Sequence, residues 1–463
     1  MRHGALAQEE ENRVITLFRH HIPIAASVRL LADGGLYFAA TLLAVHVALT
    51  PYGVAPSSVT GPAMLFAAIS LFVGAAFGLY RNADDDAFAA QIGRSVLVVL
   101  VSAGAASLLF EYVQGGSAAR GVLGYIVLYS LAGILVARQI MLTARRAGVG
   151  RRPVLIVGSA DEVRAVEGTL QSGVPKFTVA GFYDPASKVM SERELCDLVE
   201  RLAVREVIVA ARDQRGGSVP MKQLLECRLN GISVIDLSGF YEREHGQVPV
   251  HSLKSSWLVY GKGFAQDPLR TAVKRAFDIT CALGLLALAS PVVLLAAVAV
   301  AIESGGPVLY RQERVGRGGR SFNCIKFRSM ATDAEKDGVA RWASKRDPRV
   351  TRVGRFLRKA RIDELPQLFN VLRGEMSLVG PRPERPAFVK ELSKSIPYYD
   401  VRHSVKPGVT GWAQVRYTYG ASVEDATRKL QYDLYYVKNH SLFLDVIILV
   451  ETVRVVLFGE GAH

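Results

Sequence analysis

Four stretches in the first third of this chain, residues 24–49, 62–80, 92–110 and 122–142, are each apolar over about the 20 residues a helix needs to cross a bilayer. That feature limits the fold more than any other, because such runs cannot all be hidden in one water-soluble core. Residues 1–150 are therefore expected to form a four-helix transmembrane bundle. Lys and Arg gather before the first run (Arg2, Arg13, Arg19), between the second and third (Arg81, Arg94) and after the fourth (Arg145, Arg146, Arg151, Arg152), whereas residues 52–61 carry none. Short cytoplasmic segments are enriched in these residues, so both ends of the bundle are expected to face the cytoplasm. Glu9, Glu10 and Glu11, and the length of the first run, argue for an anchor that stays rather than a cleaved signal.

From Pro153 the pattern changes to short β-branched runs, residues 154–157, 177–182, 206–210 and 232–237, separated by helical stretches. This predicts a Rossmann-like α/β domain with a parallel sheet over residues 151–240. The turn after its first strand reads Gly158-Ser159-Ala160-Asp161 and lacks the later glycines of the dinucleotide fingerprint. Two readings stay open there, a dinucleotide site and a regulatory or scaffolding domain. Residues 241–265, broken by Gly246, Pro249, Gly261 and Gly263, read as a linker.

A fifth apolar run, residues 279–302, is long enough to span, yet both flanks are basic: Arg270, Lys274 and Arg275 before it, Arg311, Arg314, Arg317 and Arg320 after it. The charge rule favours both flanks on one side. Ser290 and Pro291 stand at its middle, and proline removes a backbone donor and bends a helix. A re-entrant hairpin of two half-helices over residues 275–303 is expected in place of a proline-kinked span.

The chain carries 56 Lys and Arg against 42 Asp and Glu, a net charge of +14, so an anionic partner is expected. The excess concentrates beyond the fifth run, in Arg314, Arg317, Lys326, Arg328, Arg349, Arg352, Arg355, Arg358 and Arg361. Guanidinium forks suit a substrate with two phosphates, and the same density suits anionic lipid headgroups. Nucleic acid fits less well, because the cluster is wedged against a membrane element. Asp363 and Glu364 follow at once. Alone, such a pair reads as a helix start; amid so many cations, one carboxylate can attack phosphorus while the other holds a divalent cation. The arginines are expected to hold both ionised.

Downstream, Pro381 and Pro383 bracket Arg382, a rigid frame suited to a phosphate clamp. Residues 407–412 form another constrained turn, either structural or set under a nucleotide base. Residues 442–458 read as an apolar helix, lying at the membrane interface or packed on the domain before it. Cys196, Cys227, Cys281 and Cys324 are too scattered for a zinc site or disulfide framework and read as ordinary thiols.

The last part of the chain resembles the bacterial polyprenyl-phosphate sugar-phosphate transferases, the monotopic phosphoglycosyl transferases that initiate exopolysaccharide and O-antigen synthesis. The residues that carry the resemblance are Lys274-Arg275, Phe277-Asp278, Ser290-Pro291, Gly306-Pro307-Val308, Lys326-Phe327-Arg328-Ser329-Met330 and Asp347-Pro348-Arg349. It continues through Asp363-Glu364-Leu365-Pro366-Gln367, Ser377-Leu378-Val379-Gly380-Pro381-Arg382-Pro383 and Pro407-Gly408-Val409-Thr410-Gly411-Trp412-Ala413-Gln414. These ordered blocks cover nearly all of residues 266–463, the expected catalytic domain. The resemblance implies a multi-pass protein of the bacterial cytoplasmic membrane, a UDP-sugar donor (UDP-glucose or UDP-galactose by family) and an undecaprenyl phosphate acceptor, with UMP released. It implies Asp363 as nucleophile in a covalent phosphosugar intermediate, Glu364 as Mg²⁺ ligand, and Arg358 and Arg382 on phosphate, with Lys326, Arg328 and Asp433 at further motif positions. Bundles of this kind can also pair as homodimers.

Two rivals make distinct demands. A nucleotide-sugar dehydratase or epimerase needs a complete glycine loop and a Tyr-x-x-x-Lys pair, and no tyrosine here precedes a lysine by four residues. A non-catalytic scaffold would release no UMP from UDP-sugars.

Overall fold

The computed structural model describes residues 14–17, 20–49, 60–80, 88–114, 118–147, 152–159, 161, 163–164, 177–185, 194–210, 219–250, 253, 268–331, 347, 349–417, 420 and 422–458. Of the residues read above, Arg2, Glu9, Glu10, Glu11, Arg13, Arg19, Arg81, Arg151, Ala160, Gly261, Gly263 and Pro348 lie outside that set. The chain separates into two compact units, residues 1–16 with 21–240, and residues 17–20 with 241–463.

The first unit opens with helices α1 (Ile24–Leu49), α2 (Thr60–Ala76), α3 (Phe88–Gln114) and α4 (Ala118–Arg146). α1 and α3 each pack on both α2 and α4, which closes a ring. Small residues fill the interior, among them Ala40, Ala44, Ala63, Ala67, Ala103 and Ala106, while Leu31, Met64, Leu108, Leu128 and Ile140 point outward. Close approach through small residues with leucines outside is how helices associate where lipid is the solvent. Among the described residues, four helices are long and apolar enough to cross a membrane: Ala26–Ala48, Gln91–Leu108, Val122–Ala144 and Pro268–Ser304. This is a membrane protein. The second expected span is shorter than read, since α2 ends at Ala76 after 17 residues and the chain turns at Gly78, with φ of 74°. A buried Asp33–Arg138 pair ties α1 to α4, as charges at membrane depth require.

The same unit continues into an α/β layer. Strands β1 (Arg152–Val157), β2 (Phe177–Tyr183), β3 (Glu206–Val209) and β4 (Ser233–Asp236) form a parallel sheet in the order β2-β1-β3-β4. The predicted parallel sheet is present, and Val154, Leu155, Ile156 and Val157 of β1 are fully buried, as a strand covered on both faces requires. Helices α5 (Glu194–Arg201) and α6 (Met221–Leu229) pack on each other, with Leu195 and Leu224 in the core and the Cys196 and Cys227 sulfurs 3.5 Å apart as free thiols.

The second unit takes in the end of α7 (Leu237–His245) and residues 246–250, part of the stretch 241–265 read above as a linker; of the rest of that stretch only Leu253 is among the described residues. Val248 and Val250 are buried in the unit's core, Glu242 pairs with Lys438 at 2.7 Å, and the Trp412 indole donates to the Gly246 carbonyl at 2.8 Å. Alternating apolar residues beside a left-handed Gly246 (φ 62°) make residues 246–250 a strap on the second unit.

Helix α8 (Pro268–Ser304) follows and runs for 37 residues through Pro291 without an unwound break. The Ser290–Pro291 pair explains itself there. Proline leaves the carbonyl four residues earlier without a donor, and the Ser290 hydroxyl donates to that Ala287 carbonyl at 2.8 Å. Both ends of α8 are anchored on one unit. At the first end Lys274 pairs with Asp445 at 2.7 Å, Arg275 donates to the Val371 and Leu372 carbonyls, and Asp278 accepts from Ser377 Oγ and Leu378 N. At the second, Ala296 and Val300 pack with Phe327 and Leu357, and the Glu303 carboxylate accepts from the Arg352 and Val353 amides. Leu283, Leu288, Leu294 and Leu295 between them are exposed.

The unit's remaining elements set the site. Strands β5 (Leu309–Val315) and β6 (Ser321–Phe327) form an antiparallel hairpin, followed by α9 (Arg352–Lys359) and α10 (Gln367–Arg373). Strands β7 (Ser377–Val379) and β8 (Gly408–Thr410) pair in parallel, with α11 (Pro386–Ser395) between them. Their backbones lie so close that a Cβ at Gly380 would sit 2.3 Å from the Lys406 carbonyl oxygen, and one at Gly408 2.1 Å from the Gly380 nitrogen. Helices α12 (Trp412–Arg416), α13 (Val423–Asn439) and α14 (Leu442–Phe458) complete it. Leu444, Ile448 and Val455 of α14 are buried in the core, so α14 packs on the domain.

Candidate active site

Helix α9 is capped by Thr351, whose hydroxyl accepts from Gly354 N at 2.9 Å, and it ends just before Arg361, a non-glycine residue at φ 59°. That left-handed residue reverses the chain into a 3₁₀ turn, Ile362–Glu364. Such backbone positions are sparsely populated and concentrate at functional sites. Ile362 packs against the second limb of α8 and Leu365 against the main core, which leaves Asp363 and Glu364 fixed between membrane helix and domain interior. The helix-start reading fails: α10 begins at Gln367 after Pro366, and no side chain caps it.

Both carboxylates are buried, at 8% exposure each, in unlike surroundings. Glu364 Oε1 accepts from Lys326 Nζ at 3.2 Å and Arg382 Nη2 at 2.9 Å, and Oε2 lies 3.9 Å from Arg361. Burial pushes the Glu364 carboxyl up, but Arg382, Lys326 and Arg361 outweigh it and hold the group well below the usual carboxylate range. Asp363 goes the other way. Burial, then repulsion from Glu364, raise it against the pull of Lys326, Arg358 and Arg382. The cations do not act on the two alike: Glu364 absorbs them, and Asp363 is left the more basic of the two.

Of the other expected site residues, Lys326 and Arg382 reach Glu364 directly, and Arg358, on the last turn of α9, acts on Asp363 through its charge. Arg328 is turned away, donating to the Gly306 carbonyl at 2.9 Å. Asp433 is 2% exposed and pairs with Arg402 at 2.8 Å, one layer behind Arg382. Ser290 and Pro291 lie on the exposed stretch of α8. Arg349 closes on its neighbour Asp347 at 2.6 Å. Trp412 is 2% exposed, stacked on Tyr435 beneath the strap, so the turn before it is structural. Sequence reading passed over Arg402 altogether and gave Arg361 no separate role; the left-handed backbone at Arg361 has no signature in its residue type.

A magnesium ion fits this donor set in one way. Magnesium is usually held by one or two carboxylates with substrate phosphates completing its shell. Glu364 would supply one such carboxylate, and no group of three or more metal-binding side chains occurs among the described residues. Cations already on Glu364 would repel the metal until a diphosphate offsets them.

The model of the family described as Bacterial sugar transferase matches residues 269–459, which include every element of this site. The chain is 42% identical over 294 residues to the UDP-N-acetylgalactosamine-undecaprenyl-phosphate N-acetylgalactosaminephosphotransferase of Aeromonas hydrophila, 62% of this chain and 69% of that protein. It is 34% identical over 377 residues to the UDP-glucose:undecaprenyl-phosphate glucose-1-phosphate transferase of Xanthomonas campestris pv. campestris, 75% of this chain and 76% of that protein. With the Escherichia coli (strain K12) protein of that same name it shares 45% identity over 193 residues, 41% of each chain. Similarity to the first two reaches well beyond the catalytic unit, and with the carboxylate pair seated against a membrane helix it leads to one conclusion: this chain belongs to the bacterial sugar transferases.

Proposed function

We propose that this enzyme transfers a sugar 1-phosphate from a UDP-sugar to undecaprenyl phosphate at the cytoplasmic face of the bacterial inner membrane. The observation that carries the mechanism is the seating of Ile362 on α8, which ties the Asp363–Glu364 turn to a helix whose middle is exposed leucine. The acceptor's phosphate lies at the headgroup plane, so a carboxylate fixed to a membrane element meets it without extracting the lipid.

Asp363, ionised and raised in basicity, attacks the sugar-linked phosphorus of the donor. The bond to the UMP oxygen breaks, and an aspartyl phosphosugar remains. A phosphate oxygen of undecaprenyl phosphate then attacks the same phosphorus, the carboxylate leaves, and the lipid diphosphate sugar departs. Arg382, Arg358 and Lys326 neutralise the phosphate oxygens, and Glu364 keeps Arg382 and Lys326 aimed. Magnesium, held by Glu364 with the diphosphate, would add charge neutralisation. Asp363→Asn is expected to abolish both UMP release and the adduct; turnover surviving in that variant would move the nucleophile elsewhere.

The same proposal makes α8 re-entrant. A straight helix would separate Asp278 from Val300 by about 33 Å, yet Asp278 and Val300 are both anchored on one compact unit, while Leu283, Leu288, Leu294 and Leu295 between them are exposed.

A further inference from the structure

Consecutive carbonyls hold the loop that carries Arg382. Pro381 O accepts from Gly408 N at 3.0 Å, Arg382 O from Arg402 Nη2 at 2.9 Å, Pro383 O from Arg314 Nη1 at 3.1 Å, and Glu384 O from Val315 N at 2.9 Å. Two of these donors are main chain on neighbouring strands. The other two are guanidinium groups. Pro381 and Pro383 lack N–H groups, so the carbonyls are the loop's main points of attachment.

Arg402 is placed for this contact. It is 4% exposed, its Nε donates to Asp433 Oδ2 at 3.1 Å, its Nη1 donates to the Tyr399 hydroxyl at 2.8 Å, and its carbon lies 5.1 Å over the Tyr399 ring. Three contacts with two residues, Asp433 and Tyr399, thus fix its plane. The fourth contact, the Arg382 carbonyl, is the one that leads to the site.

We propose that Arg402, oriented by Asp433, is a positioning residue: its bond to the Arg382 carbonyl fixes where the Arg382 guanidinium stands, so that the loop meets the donor's phosphate without rearranging. This rests on reading Arg382 as a phosphate ligand. Asp433 then serves the reaction by orienting Arg402, two contacts away from the phosphate.

A double-mutant cycle in the full-length membrane enzyme tests it, read as kcat for UMP release with undecaprenyl phosphate and the best donor from a UDP-sugar panel. Arg402→Lys keeps a charge for Asp433 but lacks the fork that serves several partners, and is expected to lower kcat about 10- to 100-fold. In an Arg382→Ala background the same change should lower the residual rate by less than about 2-fold, because its route of action is gone. An equal loss in both backgrounds overturns the proposal, since that is what a general structural role produces. Should Arg402→Lys fold poorly, Arg402→Met with Asp433→Leu replaces the buried pair together. It is expected to keep its melting temperature and lose kcat to the same degree, and full kcat in it would count against the proposal. If Arg382→Ala alone releases UMP at the wild-type rate, the premise fails, while the Asp363 adduct remains a separate measurement.

Discussion

Asp363 and Glu364 occupy one 3₁₀ turn, equally buried, and divide along the cations around them. Glu364 is the member that holds the cations. Its folded pKa is depressed, so its contribution is present above the unfolded value and is lost as pH falls through the folded one. Glu364→Gln leaves Arg382 and Lys326 without their carboxylate and is expected to cost on the order of 3 kcal/mol, measured by denaturation in detergent. Asp363 has a raised pKa, so above it the ionised group costs stability, and that cost fades as pH falls through the folded value. Asp363→Asn should therefore raise the melting temperature while removing activity, a trade common at active sites. The same shift fixes the acid limb of UMP release. Attack needs the ionised form, so the rate should fall below a pH that lies above the ordinary 3.8, and a limb at or under that value would contradict the raised carboxyl.

At the scale of elements, α8 and the β7–β8 pair carry the geometry. Cysteines placed singly at Arg270, in the first turn of α8, and at Arg311, beyond its last, should both react with an impermeant thiol reagent only from the cytoplasmic side; labelling from opposite sides would establish a spanning helix. The β7–β8 pair depends on bare backbone. Gly380→Ala would push a methyl group to 2.3 Å from the Lys406 carbonyl, and neither strand has a flexible side chain to yield there. A loss of roughly 3 kcal/mol or more, with activity falling in step, is expected from thermal melting. A neutral Gly380→Ala would mean that these strands separate more easily than their pairing indicates.

Across the whole molecule, what could be read in advance was whatever repeats locally. Apolar runs gave the bundle, β-branched runs gave the parallel sheet, and Lys326, Arg382 and Glu364 were read from their motif blocks and do converge. What could not be read depends on partners distant in sequence. Arg402 meets Asp433 across 31 residues and Arg382 across 20, with no spacing to announce either. Val248 and Val250 sit among glycine and proline, a composition that reads as linker, and only packing against residues far along the chain makes them core. The unlike basicity of Asp363 and Glu364 follows from which carboxylate the cations reach, a matter of ångströms rather than residue type. The central claim, a phosphosugar carried on Asp363, is tested most directly by mass spectrometry of enzyme quenched after exposure to UDP-sugar without the lipid acceptor. The account predicts one added phosphosugar mass on the peptide bearing Asp363, discharged when undecaprenyl phosphate is supplied. Sustained UMP release with that peptide unmodified at every quench time would contradict it.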